Sequence, residues 1–357
     1  MGSGLTGAVF ARQLQERGFR VQVVERRSHV GGNVHEHEHE SGIPIHTYGP
    51  HFFRTSSEGI WRFVNRFSDW RPYEHQIRTW VDGRYEHWPV LGSTVRRLAG
   101  EDWKPRASAP RGAANFEEAS LEMMPEVVYR RFVKGYTEKQ WGVPADQLEA
   151  QLASRFDVRW DEDPRLSRKR WQGFPTVGYA TFMERMLDGI PVRPRFDFLE
   201  NRKVYRPRRM TVYTGPIDAF FGFDEGRLAY RSQLREHEYV PDKDLVLPVA
   251  QVNNPDPRNG AYVRTLEWKH LMAEEQAART RGTLLTRETP TTPSDPDHFE
   301  YPFQDIANRR LYERYRARAD AIPELLVCGR LGEYRYYDMD QAMARAMTLV
   351  KRVLVGA

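Results

Sequence analysis

The chain has 357 residues, 40% of them hydrophobic, enough for a large core and two or three structural units. Lys and Arg outnumber Asp and Glu by 54 to 49, a mild, dispersed basic excess that suits an anionic small substrate and argues against nucleic acid as a partner. A single cysteine, Cys328, excludes a disulfide framework, and no apolar run reaches the length of a membrane span. No signal-peptide pattern is legible, so the expectation is a cytoplasmic protein without membrane insertion.

The chain opens on Gly2-Ser3-Gly4-Leu5-Thr6-Gly7, the glycine spacing of a dinucleotide-binding turn. The first glycine allows the tight turn, the second lets backbone approach a pyrophosphate, and the third lets the helix pack on its strand. A helix with Ala8, Ala11 and Leu14 on one face follows and closes at Gly18. Then comes the apolar strand Val21–Val24, ending in Glu25, where an acid can hydrogen-bond an adenosine ribose. A strand normally precedes such a turn. The reading is therefore that Met1 stands for an internal valine codon of an Ile-Val-Gly-Ser-Gly strand, its rival being a truncated chain with an impaired cofactor site. The adjacent Gly31 and Gly32, before Asn33, are a second place for backbone to approach a pyrophosphate or a flavin ring.

His35, His37 and His39 alternate with glutamates, the pattern of one arm of an exposed ribbon. A metal reading is set below a solvated strand, because i, i+2, i+4 on a flat strand does not give tetrahedral ligation. Residues 101–112 read as a loose connector. From Phe116 to Gln140 the pattern is helical, with Asn115 as its cap and Leu121, Met124, Val127, Val128 and Phe132 at helical spacing. Strands are expected at Thr211–Tyr213, Asp244–Val252 and Ala261–Leu266, and a Thr-, Pro- and Asp-rich loop at 284–298. The C-terminal stretch repeats a strand-to-helix step, Leu325–Cys328 and then a helix over about 340–354. Strands separated by helices argue α/β.

Several further strings occur in order: Tyr48-Gly49-Pro50-His51-Phe52-Phe53, Gly135-Tyr136-Thr137-Glu138-Lys139-Gln140-Trp141-Gly142, Gln172-Gly173-Phe174-Pro175, Tyr213-Thr214-Gly215-Pro216, Tyr262-Val263-Arg264, Tyr301-Pro302 and Gly329-Arg330 through Asp338-Met339. In these, over nearly its whole length, the chain resembles the UDP-galactopyranose mutase family. The resemblance implies a Rossmann-like FAD-binding domain of the glutathione-reductase type, with an inserted helical domain and an antiparallel-sheet substrate domain. The expected division is 1–80, 195–250 and 318–357 for FAD, 81–150 for the helices, and 151–194 with 251–317 for the substrate sheet.

The resemblance also implies a chemistry. N5 of reduced FAD attacks the anomeric carbon of a nucleotide sugar, the diphosphate leaves, and the flavin–sugar adduct lets the ring reclose with the other ring size. Held phosphates call for preorganised cations, and bidentate guanidinium suits them. By the resemblance Arg155 and Arg264 bind the pyrophosphate, Tyr301 and Tyr336 donate to phosphates, and Tyr136 stacks on uracil. Trp141 lies near sugar and flavin, and His51, Arg330 and Asp338 surround flavin and substrate. Gly2, Gly4, Leu5, Thr6, Gly7, Glu25, Arg26, Gly32, Asn33 and Met339 complete the cofactor set, with no metal. A reductant not identified by the sequence, and a homodimer through roughly residues 90–150, are implied as partners. Each residue also has a plain reading: surface arginine for Arg155, core for Tyr136 and Trp141, helix cap for Asp338.

The chain departs from the family pattern at the rim. Leu166 stands where a tyrosine usually reaches the diphosphate, with Arg165, Arg168, Lys169 and Arg170 around it. Arg54 replaces a histidine, Trp268 stands where histidine is frequent, and residues 86–94 diverge. Two rival readings remain: a flavin oxidoreductase of the amine-oxidase type, which would need no phosphate-binding arginines, and a flavin-free nucleotide-sugar-binding protein. A mutase for another nucleotide sugar stands close to the leading reading.

Overall fold

The computed structural model describes residues 2–103, 112–156, 158–303 and 305–355; Met1 and most of the expected 101–112 connector lie outside them. The N-terminal helix spans Leu5–Gln15 and buries Ala8, Val9, Phe10 and Ala11 against the helices Gly178–Leu187 and Met339–Val355. Two parallel strand pairs lie with it, Val23–Val24 with Val192–Arg193 and Thr211–Tyr213 with Leu325–Val327. The Gly2 N–H donates to the Val24 carbonyl at 2.7 Å, which sets the glycine turn beside the strand that ends in Glu25. Parallel strands joined through helices on this turn make a Rossmann-like α/β unit. Cys328 is fully buried in its core.

The helical unit starts where the cap is expected, with the Glu118 N–H donating to Asn115 Oδ1 at 2.9 Å. The expected single helical pattern is broken, however. Phe116–Met123 ends because Met124, which precedes Pro125, is forced into extended backbone (φ −146°, ψ 158°). The chain restarts at Glu126, passes through a π-helical stretch Tyr129–Lys134 and continues as Gly135–Trp141, stopped by Gly142 in the left-handed region. The break rotates the two halves out of register. Leu121, expected inside, is 42% exposed, while Phe116, Met124, Val128 and Phe132 form the core.

The third unit is a seven-stranded sheet in the order Tyr301–Pro302, Tyr230–Val240, Thr283–Thr291, Arg264–Glu267, Gln251–Asn253, Ile77–Val81, Arg84–Trp88. Every pairing is antiparallel except that of 251–253 with 77–81. Most of the expected loop at 284–298 is thus a central strand. Its threonines are β-branched strand formers, and Pro290 comes near its end opposite Gln233. The expected strand at 244–252 shrinks to Gln251–Asn253, because Val246 and Leu247 instead donate their N–H groups to the buried Glu267 carboxylate. Several segments sit outside the expected division: the strands Ile77–Val81 and Arg84–Trp88 belong to the large sheet. Tyr230–Val240 belongs to this sheet, while Trp171–Pro175 and Gly178–Leu187 pack with the nucleotide-binding core. Sequence order cannot show this, since long-range pairing assigns a strand to its unit.

Removing the Asn115 cap leaves a helix-start N–H without its partner. Asn115→Ala is expected to lower the unfolding free energy by about 1 kcal/mol, read as a shifted urea midpoint with unchanged slope.

Candidate active site

Two adjoining cavities open from the Rossmann-like unit, and the second is lined from the large sheet as well. The first is a cleft lined by Gly2, Gly4, Leu5, Thr6, Gly7, Glu25, Arg26, Arg27, Gly32 and Asn33, and at its far end by His51, Arg330 and Met339. Helix Leu5–Gln15 presents its N-terminus here, with no side chain capping it and no acid in its first turn. Uncapped N–H groups at the positive end of a helix form an anion site. Gly32 has φ +57°, and a Cβ there would lie 2.9 Å from Gly4 Cα, so the close approach of the two turns requires glycine at position 32. Glu25 accepts from the Ser3 N–H and Oγ–H at 2.7 Å each and from the Arg27 N–H at 3.0 Å, which fixes the turn while the residue still lines the cleft. Thr214, from the Tyr213–Pro216 string, also lines it, as do Phe196 and Phe198, which nothing in the sequence marked. The donor set fits a dinucleotide: a pyrophosphate on the uncapped helix N-terminus, with Glu25 and Arg26 beyond it for the adenosine end.

The second cavity is lined by Arg54, Arg264, Tyr301, Tyr336 and Asp338, with Tyr48, Phe52, His75, Ile77, Leu166 and Gln251. It shares Asn33, His51, Arg330 and Met339 with the first. Asp338 lines this cavity and not the nucleotide cleft; its N–H donates to Gln341 Oε1 at 2.9 Å at the start of helix Met339–Val355, and its carboxylate lies 3.5 Å from Arg54.

Arg264, at the start of strand Arg264–Glu267, is held by a buried chain of charges. It pairs with Glu288, which also accepts from Arg235 Nε at 2.9 Å, and Arg235 forks onto both oxygens of Glu300 at 2.8 and 2.9 Å. Burial pushes the Glu288 carboxyl up, but Arg264 and Arg235 hold it below the usual carboxylate range. Tyr136 lies against Arg264, its hydroxyl pKa raised mainly by burial. The Tyr336 ring has the Arg155 guanidinium 4.2 Å and the Arg330 guanidinium 4.8 Å from its centroid, and it stacks on Tyr301 at 6.0 Å. Burial pushes the Tyr301 hydroxyl up to about 12, so it stays protonated as a donor. Arg330 also donates to the Tyr337 carbonyl at 2.7 Å and to the Glu300 carbonyl at 3.3 Å.

His51 Nδ1 lies 2.7 Å from the Gly49 carbonyl. A carbonyl only accepts, so this network places the proton on Nδ1 and leaves Nε2 an acceptor. Burial first, then the neighbouring Arg330, brings the ring pKa down to about 3, so it is neutral.

Of the residues expected around the substrate, Arg264, Tyr301, Tyr336 and Asp338 line the second cavity, and Arg155 and Tyr136 touch members of that set. Trp141 is set back, edge-on to Phe303 at 5.6 Å against the helical core. Leu166 is in the wall, its N–H donating to the His75 carbonyl at 3.3 Å. The cations around it are engaged elsewhere: Arg165 with Asp163, Arg168 with Asp161 and Asp163, Lys169 with Asp340, and Arg170 on the Trp171 ring. Trp268 is a core residue, donating from Nε1 to Thr286 Oγ1 at 2.6 Å. Sequence reasoning missed Arg235, Glu288 and Glu300, whose pairing needs three strands side by side, and His75, which no pattern marks. His35 and His37 share Thr47 Oγ1, at 2.8 and 2.9 Å, on the ribbon Glu36–Glu38/Pro44–His46. Among the described residues no group of three His, Cys, Asp or Glu side chains could hold a metal ion, and no helix is long and apolar enough to cross a membrane.

A nucleotide cleft opening through shared walls onto a cavity lined by Arg and Tyr defines a Rossmann-fold enzyme with a second ligand beside its dinucleotide. Comparisons narrow the class. Residues 131–336 match the family model of UDP-galactopyranose mutase, and residues 1–67 match an NAD(P)-binding Rossmann-like domain. The chain is 30% identical to a probable UDP-galactopyranose mutase of Klebsiella pneumoniae, over 97% of this chain and 92% of that one. It is 28% identical to the dTDP-fucopyranose mutase of Escherichia coli, over 97% and 95%. A crystal structure of reduced UDP-galactopyranose mutase superposes with a TM-score of 0.78 at 16% identity, covering all of this chain and 93% of that one, and so shares its fold. The chain belongs to the UDP-galactopyranose mutase family and is an isomerase.

His46 and His75 are buried, and burial brings both ring pKa values down to about 3. The unfolded chain therefore binds protons at these sites below about pH 6.5 that the folded chain does not bind until about pH 3. Stability is full above that upper value and falls as pH drops through the window, by up to about 1.4 kcal/mol per pH unit for each ring. His75→Phe, which can keep the stack on Phe52 (3.6 Å between centroids), is expected to flatten the slope between pH 6 and 4 in urea unfolding.

Proposed function

We propose that the chain uses FAD to interconvert the pyranose and furanose forms of a nucleotide sugar, with UDP-galactopyranose and UDP-galactofuranose as the leading pair. One observation carries the reading: the cleft that suits a dinucleotide and the cavity that suits a nucleotide sugar share Asn33, His51, Arg330 and Met339. Gly2, Gly4, Leu5, Thr6, Gly7 and Gly32 would hold the FAD pyrophosphate, Glu25 and Arg26 its adenosine end, and His51, Arg330 and Met339 its ring. When bound and reduced, FAD supplies the nucleophile toward the anomeric carbon.

The protein's part is to hold a diphosphate that leaves and comes back. Arg264, fixed by Glu288 and not free to swing, is a preorganised cation for it, and Arg155 is the second. Keeping the diphosphate within reach makes its return intramolecular in effect. Tyr301 and Tyr336 donate to its oxygens, and Tyr136 takes the base. His51, neutral and accepting at Nε2, adds no charge to compete with Arg330 at the shared wall. Trp141, set back on Phe303, would shape the cavity from behind. The cytoplasm, a flavin reductant and a dimer through the helical unit belong to the same proposal.

A different nucleotide sugar is the second reading, and Leu166 favours it. With Ile77 it makes one wall of the cavity apolar, which suits a sugar with fewer hydroxyls; one relative carries the name dTDP-fucopyranose mutase.

FAD-loaded protein incubated with UDP-galactofuranose is expected to form the pyranose only when reduced with dithionite, as followed by chromatography. Product from oxidised enzyme, or protein that binds no flavin, would overturn the proposal. Arg264→Ala should lose activity by ~100-fold or more while the flavin spectrum is retained. Leu166→Tyr should improve kcat/KM for UDP-galactose by about tenfold if a missing phosphate hydrogen bond sets specificity. Unchanged kinetics would remove Leu166 from that role.

A further inference from the structure

The basic excess is concentrated in one loop. Residues 193–209 hold seven cations and only two acids, Asp197 and Glu200, a net of +5 that equals the net charge of the whole chain. The loop runs between the edge strand Val192–Arg193 and the strand Thr211–Tyr213. Its inward side chains, Phe196, Phe198 and Leu199, line the nucleotide cleft, and Asp197 accepts from the Leu199 N–H at 2.7 Å to shape the turn. Its cations all face water. Arg193 and Arg195 are exposed at one end, and Arg202, Lys203, Arg206, Arg208 and Arg209 at the other. Exposed arginines such as Arg66, Arg97, Arg130 and Arg131 each have a carboxylate partner. None of the seven forms an ion pair among the described residues; Arg193, Arg202 and Arg209 instead lie on the rings of Phe196, Phe220 and Phe19.

Like charges left unpaired in one short loop repel one another, and an anionic surface docked against them relieves that repulsion. We propose that this loop is a docking face for an anionic lipid surface, to which the protein binds peripherally. A specific protein partner would need a desolvated anchor pocket, and Val204 is the only exposed large hydrophobic residue of the loop. A nucleic acid would call for exposed stacking rings or an element shaped for a groove, and the loop's phenylalanines point inward. A lipid surface needs only summed charge from several Lys and Arg side chains close together. None of the residues lining the second cavity belongs to the loop, so docking through it leaves that cavity to its substrate.

The test is co-sedimentation of the full chain with vesicles at about 0.15 M salt. One set is phosphatidylcholine with about one quarter phosphatidylglycerol, the other phosphatidylcholine alone. The variant Arg202→Gln/Lys203→Gln/Arg206→Gln/Arg208→Gln/Arg209→Gln is compared with Arg62→Gln/Arg130→Gln/Arg258→Gln/Arg279→Gln/Arg281→Gln, which removes equal charge from exposed sites elsewhere. The expected result is binding to the anionic vesicles alone, weakened about tenfold or more in the loop variant and retained in the control. No binding, or equal weakening in both variants, overturns the proposal. Binding of a mixed-sequence oligonucleotide that the loop variant loses, with no vesicle binding, overturns it in favour of nucleic acid. Unchanged thermal melting of both variants shows that the fold survived.

Discussion

The buried chain Arg264–Glu288–Arg235–Glu300 is the constraint on which the substrate side of this protein depends. Its members come from the strands Arg264–Glu267, Thr283–Thr291 and Tyr230–Val240 and from the residue just before Tyr301. In a dry sheet a charge without its partner costs about 3–5 kcal/mol, so the four groups hold one another in place. Arg264 is thereby aimed, and Glu300 passes the constraint on, because its carbonyl accepts from Arg330. Gly49 shows how closely the neighbouring turn fits. It has φ +84°, and a Cβ there would lie 2.7 Å from Glu288 Oε1 and 2.9 Å from Arg235 Nη2.

On the nucleotide side the constraint is different in kind. The helix Leu5–Gln15 leaves its first N–H groups uncapped at the cleft, so their partial positive charge is available to an anion. Ser3 and Glu25 hold the turn rigid from behind. Preorganisation is therefore achieved twice, with side-chain charges in the large sheet and with backbone dipoles in the Rossmann-like unit. Between the two stand His51 and Arg330, one neutral and one cationic, and burial is the main reason the histidine remains neutral.

Legibility followed the range of the interaction. The glycine turn, the first helix, the Asn115 cap, the strands Thr211–Tyr213 and Leu325–Val327 and the last helix are set by neighbours a few residues apart, and the sequence shows them. The helical break at Met124 was also written locally, in Pro125, but the apolar spacing running across it concealed the change of register. The strand Thr283–Thr291 was hidden by its composition. Threonine and proline suggest a loop until strands on both sides supply the hydrogen bonds.

The sequence by itself determined the family, the dinucleotide turn and the candidates Arg264, Tyr301, Tyr336 and Arg330, because each sits in a short string whose chemistry is local. Tertiary structure alone decided that Glu288, Arg235 and Glu300 fix Arg264, that His75 and Leu166 share a wall, and that Trp141 stands back. It also showed that the seven cations of residues 193–209 are all exposed and form no ion pair among the described residues. Such facts depend on which strands lie side by side, and pairing across tens to hundreds of residues is settled by the packing of the whole chain, not by any segment of it.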